Sequence, residues 1–143
     1  MNKRIALAAA FVAIFAGVPA AQAATATGNF NVTVNLTSVC TIASGPADVA
    51  FTYTSFQAGA ATATGGGFSV QCTNTLPYTM SLDATSGTVI GLNYTLALSA
   101  ASGTGNGASQ AYSITGSMAS GQGGTCTSGS CSGTSARILT VTY

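Results

Sequence analysis

The chain has no histidine, and its 143 residues include only three Lys or Arg and two Asp or Glu. These absences exclude most site chemistry. General acid–base catalysis needs two groups with separated pKa values in one cleft, and the only carboxylates are Asp48 and Asp83. Both read as turn residues, in Pro46-Ala47-Asp48 and Asp83-Ala84-Thr85. The many serines have no base to activate them. Gly65-Gly66-Gly67 leads into a strand pattern without the Lys-Ser/Thr sequel of a phosphate loop. A zinc site lacking histidine would need four thiolates and reducing surroundings. No catalytic residue, metal site or cofactor is expected.

Long hydrophobic runs are also missing. The longest, Ile5 to Val18, is about 14 residues, short of the roughly 20 that a spanning helix needs. Lys3 and Arg4 precede it, and Pro19 and Ala21-Gln22-Ala23 follow. A positive start, a short apolar core and an A-x-A site describe a secretory signal peptide over 1–23, of bacterial type. Removing it takes away Lys3 and Arg4 and moves the net charge from +1 to −1. Asp48, Asp83 and Arg137 are then the only charged side chains. One basic residue gives no electrostatic footprint for nucleic acid or anionic lipid. Low charge in a Thr-, Ser-, Gly- and Ala-rich chain favours close association between subunits.

What is present is extended-strand pattern. In Gly28-Asn29-Phe30-Asn31-Val32-Thr33-Val34-Asn35-Leu36, the residues Phe30, Val32, Val34 and Leu36 share one face of a strand, and Asn31, Thr33 and Asn35 the other. This strand stands at the mature N-terminus, where a chain end can fold onto its own body or be given to a neighbour. Further strands are expected at Val39–Ile42, Val49–Thr54, Gly67–Cys72, Tyr78–Leu82, Leu92–Ser99, Ala111–Gly116 and Ala136–Tyr143, between Gly/Ser/Thr-rich turns. With no helical period in the mature chain, the expected fold is all-β: one antiparallel, Ig-like β-sandwich. An Ig-like sandwich short of one strand would leave a hydrophobic groove of the shape that 28–36 could fill. The pattern alone leaves both completions open.

Four cysteines, Cys40, Cys72, Cys126 and Cys131, in an exported chain favour disulfides. Three connectivities are possible. Cys40–Cys72 with Cys126–Cys131 is favoured, because the second pair encloses the turn-like Thr-Ser-Gly-Ser and the first ties the opening strands to a later one. The Asn-x-Thr triplets at Asn31, Asn35 and Asn93 fit chance in a Thr-rich chain. Thr-x-Thr pairs (Thr25/Thr27, Thr62/Thr64, Thr140/Thr142) raise an ice- or glycan-binding module as a minor alternative. They follow no fixed period, and β-propensity on solvent-facing strand positions accounts for them.

Together these pieces resemble the spore coat protein U domain family, whose members include subunits of archaic chaperone–usher pili. The resemblance rests on the alternating strand followed by Val39-Cys40-Thr41-Ile42, then Phe68-Ser69-Val70-Gln71-Cys72-Thr73 and Gly91-Leu92-Asn93-Tyr94-Thr95-Leu96. It ends on Gly116-Ser117-Met118-Ala119-Ser120-Gly121-Gln122 and Ile138-Leu139-Thr140-Val141-Thr142-Tyr143. The resemblance implies an incomplete pilin, residues 38–143, preceded by a donor segment, residues 24–37. A periplasmic chaperone would hold the pilin by lending it a strand. At the outer-membrane usher, the next subunit's N-terminal strand would replace the chaperone's. Carried onto this chain, Phe30, Val32, Val34 and Leu36 are the donor residues, and Cys40 and Cys72 match the family's disulfide positions. Leu139, Val141 and Tyr143 belong to a last strand that faces the chaperone. Many members carry Gly-x-Tyr-x-Asp before that strand, whereas here Gly133 is followed by Thr134, Ser135, Ala136 and Arg137. The expected protein is a non-enzymatic stalk or adaptor subunit of a cell-surface pilus, exported through the periplasm and serving adhesion or biofilm formation. The alternative is a self-complemented monomeric extracellular or coat protein.

Overall fold

A computed structural model describes residues 23–143, so the signal peptide expected over 1–23, apart from Ala23, lies outside the described residues. The body, residues 35–143, is built from antiparallel strands alone. They are β1 (Cys40–Ser44), β2 (Val49–Ala50), β3 (Ala61–Thr62), β4 (Thr64–Gly65), β5 (Gly67–Cys72), β6 (Pro77–Leu82), β7 (Ser86–Val89), β8 (Leu92–Leu98), β9 (Ser102–Thr104), β10 (Ser109–Met118) and β11 (Leu139–Thr142). The larger sheet runs β1-β5-β10-β8-β7, with β3 also on β10; the smaller runs β11-β6-β9; β2 and β4 form a two-stranded ribbon. The fold is an antiparallel sandwich of Ig-like kind.

Side-chain alternation decides which face of each strand is inside. Phe68, Val70 and Cys72 on β5, Leu92, Tyr94 and Leu96 on β8, and Ile114 and Met118 on β10 are buried from the larger sheet. From the smaller sheet Tyr78 and Met80 on β6 meet them. Each buried side chain of this size contributes about 1.5–3 kcal/mol. A two-residue shift in register would preserve this face, but a one-residue shift would turn all of it outward. The Cys40↔Cys72 and Phe68↔Tyr112 pairings are therefore strongly specified.

One interruption shapes the rest. Residues 61–72 follow β10, but the run breaks at Gly65 and Gly66, whose φ values are +96° and +79°. A Cβ at either position would run into a main-chain carbonyl, that of Asp48 or of Ile114, so only glycine fits. The ladder continues across the break through Ala63 N to Gly116 O (2.9 Å) and Ile114 N to Gly66 O (2.8 Å). At the break β4 pairs with β2, Val49 opposite Gly65. That pairing anchors residues 46–51 beside the end of the sandwich core.

The expected strands at 67–72, 78–82 and 92–99 are observed with end shifts of one residue or less. The strand expected over Ala111–Gly116 is longer at both ends. Two expectations are corrected. Val49–Thr54 is strand only at Val49–Ala50. Phe51 and Tyr53 keep the alternating burial, but side chains and a turn hold this backbone instead of a ladder. Tyr53 Oη donates to Ala119 O (2.8 Å) and accepts from Gln122 N (2.9 Å), while Thr54 N donates to Gln57 Oε1 (2.9 Å). Ala136–Tyr143 is strand only at Leu139–Thr142, because the Ile138 main chain is bonded to Asp83 instead. β3, β4, β7 and β9 were not expected; each has four residues or fewer and little apolar content.

Residues 23–39 contain no strand. Phe30, Val32, Val34 and Leu36 are 77–85 % exposed. A segment without a ladder partner leaves its N–H and C=O groups to water.

Candidate functional site

The smaller sheet ends at β11, which pairs only with β6 among the described residues. β2 likewise pairs only with β4. Between residues 46–51 and residues 134–139 lies a groove of about 530 Å³, with Leu82 and Ile114 also lining it. Its apolar side chains Val49, Phe51, Leu82 and Leu139 are half-buried and pack against the core. They are close enough to the interior to be ordered and open enough to be covered by something else. The main-chain groups along the free edge of β11 have the same character, since an edge strand presents unpaired donors and acceptors.

Of the last-strand residues singled out in the sequence, Leu139 lines the groove and Val141 is half-buried against the core. Tyr143 follows the end of β11 and is 58 % exposed. The cysteines pair as Cys40–Cys72 and Cys126–Cys131. The first joins β1 to β5 at directly opposed positions. The second closes an exposed loop beyond Thr125, whose N–H donates to Ile90 O (2.7 Å) at the β7–β8 turn.

Electrostatics at the groove comes from a cluster that strand patterning did not reveal. The Asp83 carboxylate accepts from Ile138 N (2.9 Å) and pairs with Arg137 (3.4 Å). The Ile138 amide, with further help from Ala84 N–H and the Arg137 guanidinium, holds the Asp83 carboxyl below its ordinary value. Arg137 Nε donates to Tyr94 Oη (2.9 Å) and its terminal nitrogen to Ser86 O (3.1 Å). Tyr94 Oη donates to Ser135 Oγ (3.1 Å). The scarcity of charge was the available signal: with one basic side chain left, an ion pair could form only with Asp48 or Asp83.

The site is an open groove with apolar side chains in its floor, at the edge of an Ig-like sandwich. Residues 26–127 match the Spore Coat Protein U domain, and the chain belongs to that family. It is a structural family of pilus and spore-coat type, found at or outside the cell surface. No protein of curated function and no solved structure matches the chain.

Proposed function

We propose that this protein is an exported structural subunit of a chaperone–usher pilus that polymerises by donor-strand exchange. The observation that carries the reading is the groove of about 530 Å³ between 46–51 and 134–139, lined by Leu139 at the start of β11, together with the unpaired outer edge of that strand. Phe30, Val32, Val34 and Leu36 of one subunit supply the matching part. They span about 20 Å when extended at roughly 3.3 Å per residue, and their exposure leaves them available. Main-chain hydrogen bonds along β11 provide affinity, and alternate side chains settling among Val49, Phe51, Leu82 and Leu139 fix register. Burying four such side chains contributes roughly 6–12 kcal/mol before ordering costs, as much as a typical domain's whole stability.

Before assembly a periplasmic chaperone would cover the same groove, with Leu139, Val141 and Tyr143 facing it. An outer-membrane usher would then exchange that cover for the next subunit. The finished fibre stands on the cell surface and serves adhesion and biofilm formation. The test is electrophoresis of the protein sheared from cells. Unboiled samples are expected to give an SDS-resistant ladder that collapses to monomer on boiling; a single monomer band without boiling overturns the proposal.

A further inference from the structure

Arg137 is the one basic side chain among the described residues, and its contacts cross the sandwich. Asp83 follows β6 and Ile138 precedes β11, so both belong to the margin of the smaller sheet. Ser86 and Tyr94 lie on β7 and β8 of the larger sheet. Arg137 bonds to Asp83 on one side and to Ser86 O and Tyr94 Oη on the other. An isolated surface ion pair is worth little, and Arg137 and Asp83 are 27 % and 36 % exposed. The cross-sheet geometry is what distinguishes this pair: a planar fork of donors, which lysine cannot reproduce, joins the two layers beside the missing strand.

Two further observations place this brace at the groove. Gly87 stands opposite Tyr94 in the β7–β8 ladder, and a Cβ there would overlap both the Arg137 guanidinium and the Tyr94 hydroxyl. The absent side chain gives Arg137 its path across β7. On the other side, the Tyr94 ring packs at 6.1 Å and a 40° tilt against Phe51, which lines the groove. A continuous set of contacts therefore runs from Asp83 through Arg137 and Tyr94 to Phe51.

We infer that Arg137 is a positioning residue for strand uptake: held by Asp83 and Tyr94, it keeps the two sheets at the separation an incoming strand requires. This rests on the reading of the groove as an acceptor. A sandwich lacking a strand can relieve its exposed apolar floor by letting the walls close, and a brace across the two sheets opposes that closure.

The test uses the full chain, wild type and R137A, R137K and G87A variants, with a fluorescent synthetic peptide of residues 26–37 as probe. Peptide association and the thermal midpoint are measured on each, and amide exchange at Asp83 and Ile138 is followed without peptide. R137A is expected to bind at least about tenfold more weakly, the scale of a lost charge-assisted hydrogen bond. Its thermal midpoint should fall modestly, leaving the chain folded at the assay temperature, and its Asp83 and Ile138 amides should exchange faster. R137K should recover only part of the binding, and G87A should behave like R137A. Wild-type affinity in R137A, or a loss no larger than its unfolded fraction explains, overturns the inference. If the wild-type chain itself ignores the peptide, strand exchange is what fails. The exchange data then decide the brace, with unchanged Asp83 and Ile138 amides in R137A overturning it and faster ones upholding it.

Discussion

Tyr78 and Tyr112 meet hydroxyl to hydroxyl at 2.6 Å, one from each sheet of the sandwich. Tyr78 Oη donates its own proton to Gln110 Oε1 (3.1 Å), so Tyr112 is the donor between the two tyrosines. The rings pack edge to face at 6.4 Å. Tyr78 is 2 % exposed, and its burial, followed by the hydrogen bond and charge of Tyr112, pushes its pKa up to about 12 from 10.0. The folded-state value is the higher one, so this contribution to stability is complete below pH 10 and is lost as pH rises from there through about 12. Urea midpoints of wild type and Y78F should show a steep alkaline decline for the first and a shallower one for the second. At neutral pH Y78F should be less stable by about 1 kcal/mol, the net worth of one hydrogen bond.

Asp83 works at the opposite end of the pH scale. Its carboxyl is held below the ordinary value of 3.8 by the Ile138 amide first and by Arg137 among the remaining causes. A depressed folded-state value contributes stability above the unfolded value, and the contribution disappears as pH falls through the folded one. Thermal midpoints of the wild type should therefore drop below pH 4. D83N should start lower at pH 7 and fall less, so that the two curves converge in acid. Because both partners are partly exposed, added salt should narrow the gap at pH 7.

Strand position was legible in β5, β6 and β8, where apolar residues alternate over six or more residues and a neighbouring strand pairs with them; the same alternation over 30–36 forms no strand. In those three strands burial and sequence period express one constraint. β7 reads Ser-Gly-Thr-Val and β9 Ser-Gly-Thr, which looks like turn composition; their pairing comes from the neighbours β8 and β6, information no local window contains. Val49–Thr54 failed in the other direction, since its alternation is real but the Tyr53 hydroxyl, not a neighbouring strand, anchors it. The groove lies beyond any local reading of the sequence. Its walls depend on Gly65 and Gly66 redirecting β4 and on Arg137 meeting Asp83 across 54 positions.

The two disulfides should separate under reduction. Cys72 is nearly inaccessible and Cys40 close to it, whereas Cys126 and Cys131 are exposed. Mild reductant under native conditions is expected to label Cys126 and Cys131 alone, by mass spectrometry after alkylation, with Cys40 and Cys72 reacting only once the fold is opened. The sequence separations are 32 and 5. On the loop-entropy account, removing Cys40–Cys72 should cost about 4 kcal/mol and removing Cys126–Cys131 about 2 kcal/mol. Denaturant curves of the two double-serine variants measure the difference, and equal losses would show that chain entropy is not what the first bridge contributes.

The N-terminal segment poses the sharpest distinction, because self-completion and donation require the same four apolar residues. Val32 and Val34 are 77 % and 79 % exposed in the single chain. An Asp at either position should therefore change the monomer's stability by no more than about 0.5 kcal/mol, the range of an ordinary surface substitution. In a fibre those side chains would enter a groove lined by Val49, Phe51, Leu82 and Leu139, where an unpaired carboxylate pays a heavy desolvation penalty. V32D and V34D are thus expected to leave the thermal midpoint in place and to abolish the SDS-resistant ladder. T33D, on the opposite face of the extended segment, should keep it. If V32D instead lowers the midpoint of the isolated monomer, the segment completes its own sandwich and the protein is not held together by a borrowed strand.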